Sequence, residues 1–354
     1  RLNLSADYFV RDTYDMFVDG VTLPGVYGAD PPRQNAGSMR TLGWELSIGW
    51  KDNVRLAGSD FSYEVYANLA DADSWITHYQ GNDAKLLYDE SGASMYYEGM
   101  HIGEIWGYRT GGLFVNDDDA KKWTGKVNQT YVMRDVYEKS VGDWAVARGG
   151  DLRYLDIDGD KVISDGSKTL ADHGDLDIIG NSTPRYTFSF GAGFSWYGVD
   201  FSIMFQGVGK CDIYPNKEME KFWGSWGRVN SAFLPSGLAS QARSADNPDS
   251  YFPALERGGA AYLDRGQLTT VNDNYLQSLA YIRLKNLSIG YTFPDKWMKK
   301  IHIQRLRLYA AGDNLAYLSP FHTRFVDPEQ AMASSDARVY PFSKTFTFGL
   351  NLTF

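Results

Sequence analysis

The chain has 354 residues, 43% hydrophobic and 22% charged, with a formal net charge of −9, which excludes disorder and leaves ample material for a large fold. Its aromatic content is high, with 24 Tyr, 19 Phe and 10 Trp beside 36 Gly, yet no apolar run reaches the ~18 residues of a membrane helix, so a helical membrane protein is excluded. The single Cys211 permits no internal disulfide, and the acidic balance gives no footprint for nucleic acid.

The first residues already alternate. Leu2, Leu4, Ala6, Tyr8 and Val10 share one face, opposite Asn3, Ser5, Asp7 and Arg11, which predicts a strand from the outset and a chain that is the C-terminal part of a longer protein. After a turn-rich stretch over 19–37, Leu42, Trp44, Leu46, Ile48 and Trp50 alternate with Thr41, Gly43, Glu45, Ser47 and Gly49. Residues 51–60 read as a short polar link. Phe61, Tyr63, Val65, Ala67 and Leu69 then oppose Ser62, Glu64, Tyr66 and Asn68.

Beyond Tyr79 the alternation stops for about a hundred residues, far longer than an ordinary loop. It resumes at Phe188, Phe190, Ala192, Phe194 and Trp196 and turns at Tyr197-Gly198. Val199, Phe201, Ile203 and Phe205 follow, opposed by Asp200, Ser202 and Gln206. A second irregular region, 211–277, precedes Leu287, Ile289, Tyr291 and Phe293, and a short link over 294–300 leads to Leu306, Leu308 and Ala310, alternating with Arg305, Arg307 and Tyr309. A loop over 315–338 delivers the last strand. There Phe342, Phe346, Phe348, Leu350, Leu352 and Phe354 oppose Ser343, Thr345, Thr347, Gly349, Asn351 and Thr353.

Eight strands with one oily and one polar face, and no helical layer to cover the oil, predict an all-β transmembrane antiparallel barrel wall, lipid outside and water inside. The connections sort accordingly: the long ones, about 19–38, 79–183, 210–277 and 315–340, fall on one side, expected to be extracellular, and the short ones, 51–59, 197–198 and 294–300, on the other. Eight strands left open expose two unpaired edges, so further strands are expected to complete the barrel. A secreted carbohydrate-binding β-sandwich is the soluble alternative; it requires both strand faces buried.

Three groups of residues carry candidate chemistry. Asp156, Asp158 and Asp160 alternate, followed by Val162 and Asp165, the way a calcium loop wraps oxygens round Ca²⁺. Position six of such a loop requires Gly, and here it is Lys161; position twelve, where a bidentate Glu belongs, is Ser167. The competing reading is a loop of Asx turns whose aspartates cap backbone amides. In the third long connection Trp223, Trp226 and Arg228 supply the aromatic faces and hydrogen-bond donors that bind a sugar, although Trp at a barrel rim also serves as a girdle residue. The 79–183 connection holds 19 acidic against 11 basic residues, a net of −8, including Asp117-Asp118-Asp119; such a surface repels anions or meets a partner protein. Arg305 and Arg307, on the inner face, are expected to pair with carboxylates of the lumen or its plug. The five His show no metal spacing, and no nucleophile motif or phosphate loop occurs, so no enzyme activity is expected.

Several stretches together resemble the C-terminal region of SusC/RagA-type TonB-dependent transporters. They are Asn35-Ala-Gly-Ser-Met-Arg-Thr-Leu-Gly-Trp-Glu-Leu, Glu98-Gly-Met-His-Ile-Gly-Glu-Ile-Trp-Gly-Tyr, Gly149-Gly-Asp-Leu-Arg-Tyr-Leu-Asp-Ile-Asp-Gly-Asp-Lys-Val-Ile-Ser, Asp177-Ile-Ile-Gly-Asn-Ser-Thr-Pro-Arg-Tyr-Thr-Phe-Ser-Phe-Gly, Phe205-Gln-Gly-Val and Tyr281-Ile-Arg-Leu-Lys-Asn-Leu-Ser-Ile-Gly-Tyr. Family members often carry Gly where this chain has Lys161. The terminal Phe354 fits the aromatic ending typical of outer-membrane barrels. The resemblance implies an outer-membrane barrel of roughly 22 strands with a plugged lumen. The plug and TonB box then lie N-terminal to Arg1. It implies a SusD-like surface lipoprotein that caps the barrel as a lid, TonB as energy source, and oligosaccharide or, in the RagA branch, peptide substrates in Bacteroidota. A passive porin or surface adhesin is the alternative on the same fold.

Overall fold

The computed structural model describes the chain apart from residues 20–25, 27, 29–31, 90–91, 134–146, 216–250, 252–269, 324–325, 334–338 and 341. In chain order its strands are β1 (Leu2–Asp19), β2 (Arg33–Leu56), β3 (Ser59–Tyr79), β4 (Glu104–Tyr108), β5 (Thr110–Leu113), β6 (Leu152–Tyr154), β7 (Leu176–Asn181), β8 (Arg185–Trp196), β9 (Val199–Lys210), β10 (Asp212–Ile213), β11 (Gln277–Ser278), β12 (Tyr281–Thr292), β13 (Arg305–Leu318) and β14 (Thr345–Thr353). Eight of them form one antiparallel sheet in the order β1-β2-β3-β8-β9-β12-β13-β14. It is a meander, with β1 and β14 as its edges. No described helix is long and apolar enough to cross a membrane.

Register places the two kinds of face as the alternation requires. Phe201, Ile289, Ala310 and Phe348 form one row across four strands, and Ser202, Ser288, Ala311 and Thr347 form the next. A one-residue slip would send every apolar side chain to the polar side, so the pattern itself fixes the pairing. The apolar face stays bare: Ile48 is 44% exposed, Ile289 53% and Phe348 82%. In a water-soluble sheet that surface would be covered; lipid covers it in a barrel wall.

Two sequence expectations need correction. The polar link over 51–60 does not exist, because β2 and β3 pair through Leu56↔Ser59 and turn on Ala57-Gly58 alone. Both residues have positive φ, 51° and 85°, the geometry of a two-residue hairpin turn matched to strand twist. The described parts of the 79–183, 210–277 and 315–340 connections are also not simply irregular. They pack together into a module on the rim opposite the short turns, containing the β4–β7, β5–β6 and β10–β11 ladders and the helix α1 (Asp117–Thr124). Its core includes Leu87, Trp106, Tyr108, Leu152, Tyr154, Ile163, Cys211, Tyr275, Leu279, Phe321, Val326 and Ala331. The main hydrophobic core of the described residues therefore sits in this rim module, and the sheet is its support.

β1, β2 and β3 are 18, 24 and 21 residues long, whereas about 9–11 residues cross a bilayer. At about 3.3 Å per residue, β2 extends roughly 80 Å. The outward residues mark where the membrane ends. After Leu69 the same face of β3 carries Asp71 and Asp73, both paired with Arg185, and beyond Val10 on β1 it carries Asp12, paired with Arg40 at 2.6 Å. The upper halves of these strands stand clear of lipid and carry the module.

Candidate functional site

The inner face carries a continuous polar row. Ser5, Ser47, Asn68, Ser189, Gln206, Arg283 and Tyr317 are register partners in succession across β1, β2, β3, β8, β9, β12 and β13. Neighbours along it bond to each other: the Ser47 hydroxyl donates to Asn68 Oδ1 at 2.7 Å, and Asn68 Nδ2 donates to Ser189 Oγ at 3.1 Å. Ser5, Ser47, Asn68, Ser189 and Gln206 of this row, with Asp7 and Glu45 one step above, line a concavity of about 530 Å³. A wall that bonds laterally stays ordered while still offering spare lone pairs and protons to whatever lies against it.

Lower on this face Arg307 donates to Asp200 through Nε at 2.9 Å and Nη2 at 2.5 Å. The pair reaches across Gly290, where a Cβ would stand 2.5–2.7 Å from the two charged groups. Arg307 thus finds its carboxylate on the wall itself; Arg305 is exposed.

At the β12 end of the row Arg283 is only 2% exposed. Nη2 donates to both oxygens of Asp327, at 2.5 and 2.6 Å, and Nε lies 3.1 Å from Glu329 Oε2. The rings of Tyr281, Tyr317 and Phe342 lie 5.6, 5.1 and 5.1 Å from the guanidinium carbon. A β-bulge between Leu284 and Asn286 lets both Arg283 and Asn286 face inward although their numbers differ in parity. Asp327 and Glu329 belong to the connection between β13 and β14, which therefore folds back onto the inner wall.

The Asp-rich loop divides the residues its spacing suggested. Asp156 and Asp158 come together with Asp175, carboxylate oxygens within 4.8 Å of one another, while Asp160 and Asp165 stand outside that group. Every one of these carboxylates accepts backbone or hydroxyl hydrogens: Asp156 from Gly159 and Lys161, Asp158 from Asp160, Asp160 from Val162, Asp165 from the Tyr131 hydroxyl. Val162 pairs with Asn128 in an isolated bridge. Lys161 adopts φ 70°, the left-handed position where a Gly is preferred. Asp175 is buried and accepts from Ile157 and Ser164 at 2.6 and 2.9 Å; burial pushes its pKa above the usual carboxylate range against the pull of those amides. Nothing in the local spacing pointed to Asp175, which lies 19 residues beyond Asp156. The three carboxylates are of a type that could hold a hard cation, and in this structure they order the turn.

Asp117, Asp118 and Asp119 form the first turn of α1, where the helix dipole favours negative charge. Asp119 also accepts from the Val115 amide and from Arg153 Nη2 at 2.8 Å, and Asp117 accepts from Gly149 N at 2.9 Å. Trp223, Trp226 and Arg228 lie outside the described residues. Cys211 is buried, its thiol donating to the Ser182 carbonyl at 3.2 Å.

A sheet of this length, apolar and bare on one side and polar on the other, is part of the wall of a transmembrane antiparallel β-barrel. Its relatives narrow the class. No family model matches, but the chain aligns over its whole length with TonB-dependent receptor P39 of Formosa agariphila at 27% identity and with SusC of Bacteroides thetaiotaomicron at 24%, covering 34% and 30% of those proteins. The RagAB peptide transporter structure superposes over the whole chain with a TM-score of 0.67 at 22% identity, the chain covering 34% of it. The chain is thus similar over its whole length to TonB-dependent receptors, SusC among them, and in fold to the RagAB transporter, and it spans about a third of the length of the relatives it matches.

Proposed function

We propose that the protein of which this chain is part imports a nutrient across the bacterial outer membrane by TonB-dependent transport, with a SusD-like surface lipoprotein as its lid. The continuous polar row on a lipid-backed wall carries this reading: it offers a hydrated path past hydroxyl and amide groups, and an apolar outer face anchors it. The described parts of the 79–183, 210–277 and 315–340 connections, packed into a module at one rim, fit a vestibule that captures substrate and meets the lid. Its net charge of −8 over 79–183 disfavours anionic cargo. We assign a glycan oligosaccharide as the cargo, on the Trp223, Trp226 and Arg228 cluster and the neutral donors and acceptors of the wall. Peptide is the second reading, favoured by the likeness to a peptide transporter.

The test is purification of the full-length protein from native outer membranes, with mass spectrometry of copurifying lipoprotein and bound ligand, and uptake measured with and without TonB. A lipoprotein partner, bound oligosaccharide and TonB-dependent uptake are the expected results. Bound peptide would move the assignment to the second reading. A solitary barrel with uptake indifferent to TonB would mean a passive pore.

A further inference from the structure

The fold-back of the β13–β14 connection has a consequence for passage through the barrel. Its described segment Val326–Ala333 lies against the inner wall and is held there by two kinds of contact. On one side are the charges: Asp327 and Glu329 against Arg283, with Lys285 Nζ 3.9 Å from Glu329 and Gln206 Nε2 3.5 Å from it. On the other is the module core, which takes up Val326 and Ala331 at 2% and 0% exposure. Next to Ala331, Met332 Sδ lies 3.7 Å from the Cys211 thiol. Gln206 belongs to the lining of the concavity beside the segment, so the segment forms the edge of that polar path where it meets β9 and β12.

The charge arithmetic makes this arrangement all or none. A guanidinium at 2% exposure is tolerable only while its counter-ions are present, and those counter-ions arrive only when the segment docks. If the segment leaves, the wall keeps an arginine with spare donors and gains width at the level of the polar row.

We propose that Val326–Ala333 is a strap across the inner wall, that Arg283 is its latch through Asp327 and Glu329, and that the strap sets the width of the polar path at this level. The role as a gate rests on the transport reading; the latch does not. Asp327 and Glu329 are positioning residues for the strap, and no contact of theirs with cargo is implied.

Cys211 reports the strap, because Met332 of the strap lies against its thiol, Cys211 is 3% exposed, and burial pushes its thiol pKa up to about 11, which leaves it unreactive while the strap is docked. The experiment uses the full-length protein in detergent and in planar bilayers. N-ethylmaleimide labelling of Cys211 is followed by peptide mass spectrometry in wild type, Arg283→Met, the double variant Asp327→Asn/Glu329→Gln, and the control Arg307→Met, which breaks an ion pair on the same wall away from the strap. Labelling at least about tenfold faster in both strap variants, with wild-type rates in the control, is expected for the loss of a buried ion pair. Conductance across the bilayer rises in the same two variants. Wild-type labelling rates in both strap variants would overturn the latch. Faster labelling with unchanged conductance would overturn the gate. TonB-dependent uptake by the wild type is measured separately; its absence would remove the import reading and leave the labelling result standing.

Discussion

Ile289 and Ser288 are neighbours in β12 that point to opposite faces, and an arginine placed at each distinguishes a lipid-backed wall from a soluble sheet. Ile289 sits between Phe201 and Ala310 on the apolar face and is 53% exposed; Ser288 sits between Ser202 and Ala311 on the polar face. About half of the Ile289 side chain thus depends on lipid for burial, worth roughly 1 kcal/mol of the ~1.5–3 available to such a residue. A guanidinium there adds about 2–4 kcal/mol if it lies near the bilayer midplane. Ile289→Arg is therefore expected to cost roughly 3–5 kcal/mol, and about 2–4 kcal/mol more than Ile289→Ala. Ser288→Arg faces water and is expected to change stability by less than about 1 kcal/mol. The assay is equilibrium denaturant titration of the full-length protein folded into lipid vesicles, with the same variants scored for assembly in cells. A Ser288→Arg penalty equal to or above that of Ile289→Arg would refute the assignment of faces, and large penalties at both positions would mean a sheet buried on both sides.

Gly207 admits no side chain, because a Cβ there would collide with the carbonyl oxygen of Tyr281 and stand 2.5 Å from the Phe188 ring; Gly207→Ala is expected to lower stability by about 1–3 kcal/mol in the same titration, with the β9–β12 ladder losing amide protection first. Asp175→Ala leaves the Ile157 and Ser164 amides without their carboxylate, and hydrogen exchange at those two amides is expected to accelerate by about 10- to 100-fold, from roughly 1–3 kcal/mol of lost local stability. The module's buried tyrosines set its alkaline limit. Burial pushes Tyr88 up to about 12 and Tyr108 and Tyr154 higher still, from an ordinary value of 10.0. A folded pKa above the unfolded one favours folding below pH 10 and withdraws that stability as pH rises from 10 through about 12. Tyrosinate absorbance should accordingly show these groups ionising late, in one steep step with loss of module structure, and gradual titration centred near pH 10 would contradict their burial.

How much of this was legible in the sequence follows from what imposes a pattern on it. Lipid on one side and water on the other demand period two, so Phe346, Phe348, Leu350 and Leu352 announce their face without any tertiary knowledge. That demand ends with the membrane. Above Leu69 and Val10 the outward face is free to carry Asp71, Asp73 and Asp12, so the alternation fades about ten residues before β3 and β1 end. The same relaxation hid the Ala57-Gly58 hairpin, whose flanks Asp52, Asn53, Asp60 and Ser62 are polar on both faces. The site was less legible because its key pairs are distant in the chain. Asp175 joins Asp156 across 19 residues, and Arg283 meets Asp327 across 44; neither spacing has a local signature. The bulge before Asn286 compounds this, since fixed parity from Leu287 backwards would send Arg283 to lipid. Yet a lone arginine facing hydrocarbon would be costly, so the conflict between parity and chemistry at Arg283 was itself a sign that β12 must be irregular. The irregularity does what regular alternation cannot: one extra residue turns a cation from the lipid face to the inner face, where Asp327 and Glu329 of the returning β13–β14 connection neutralise it.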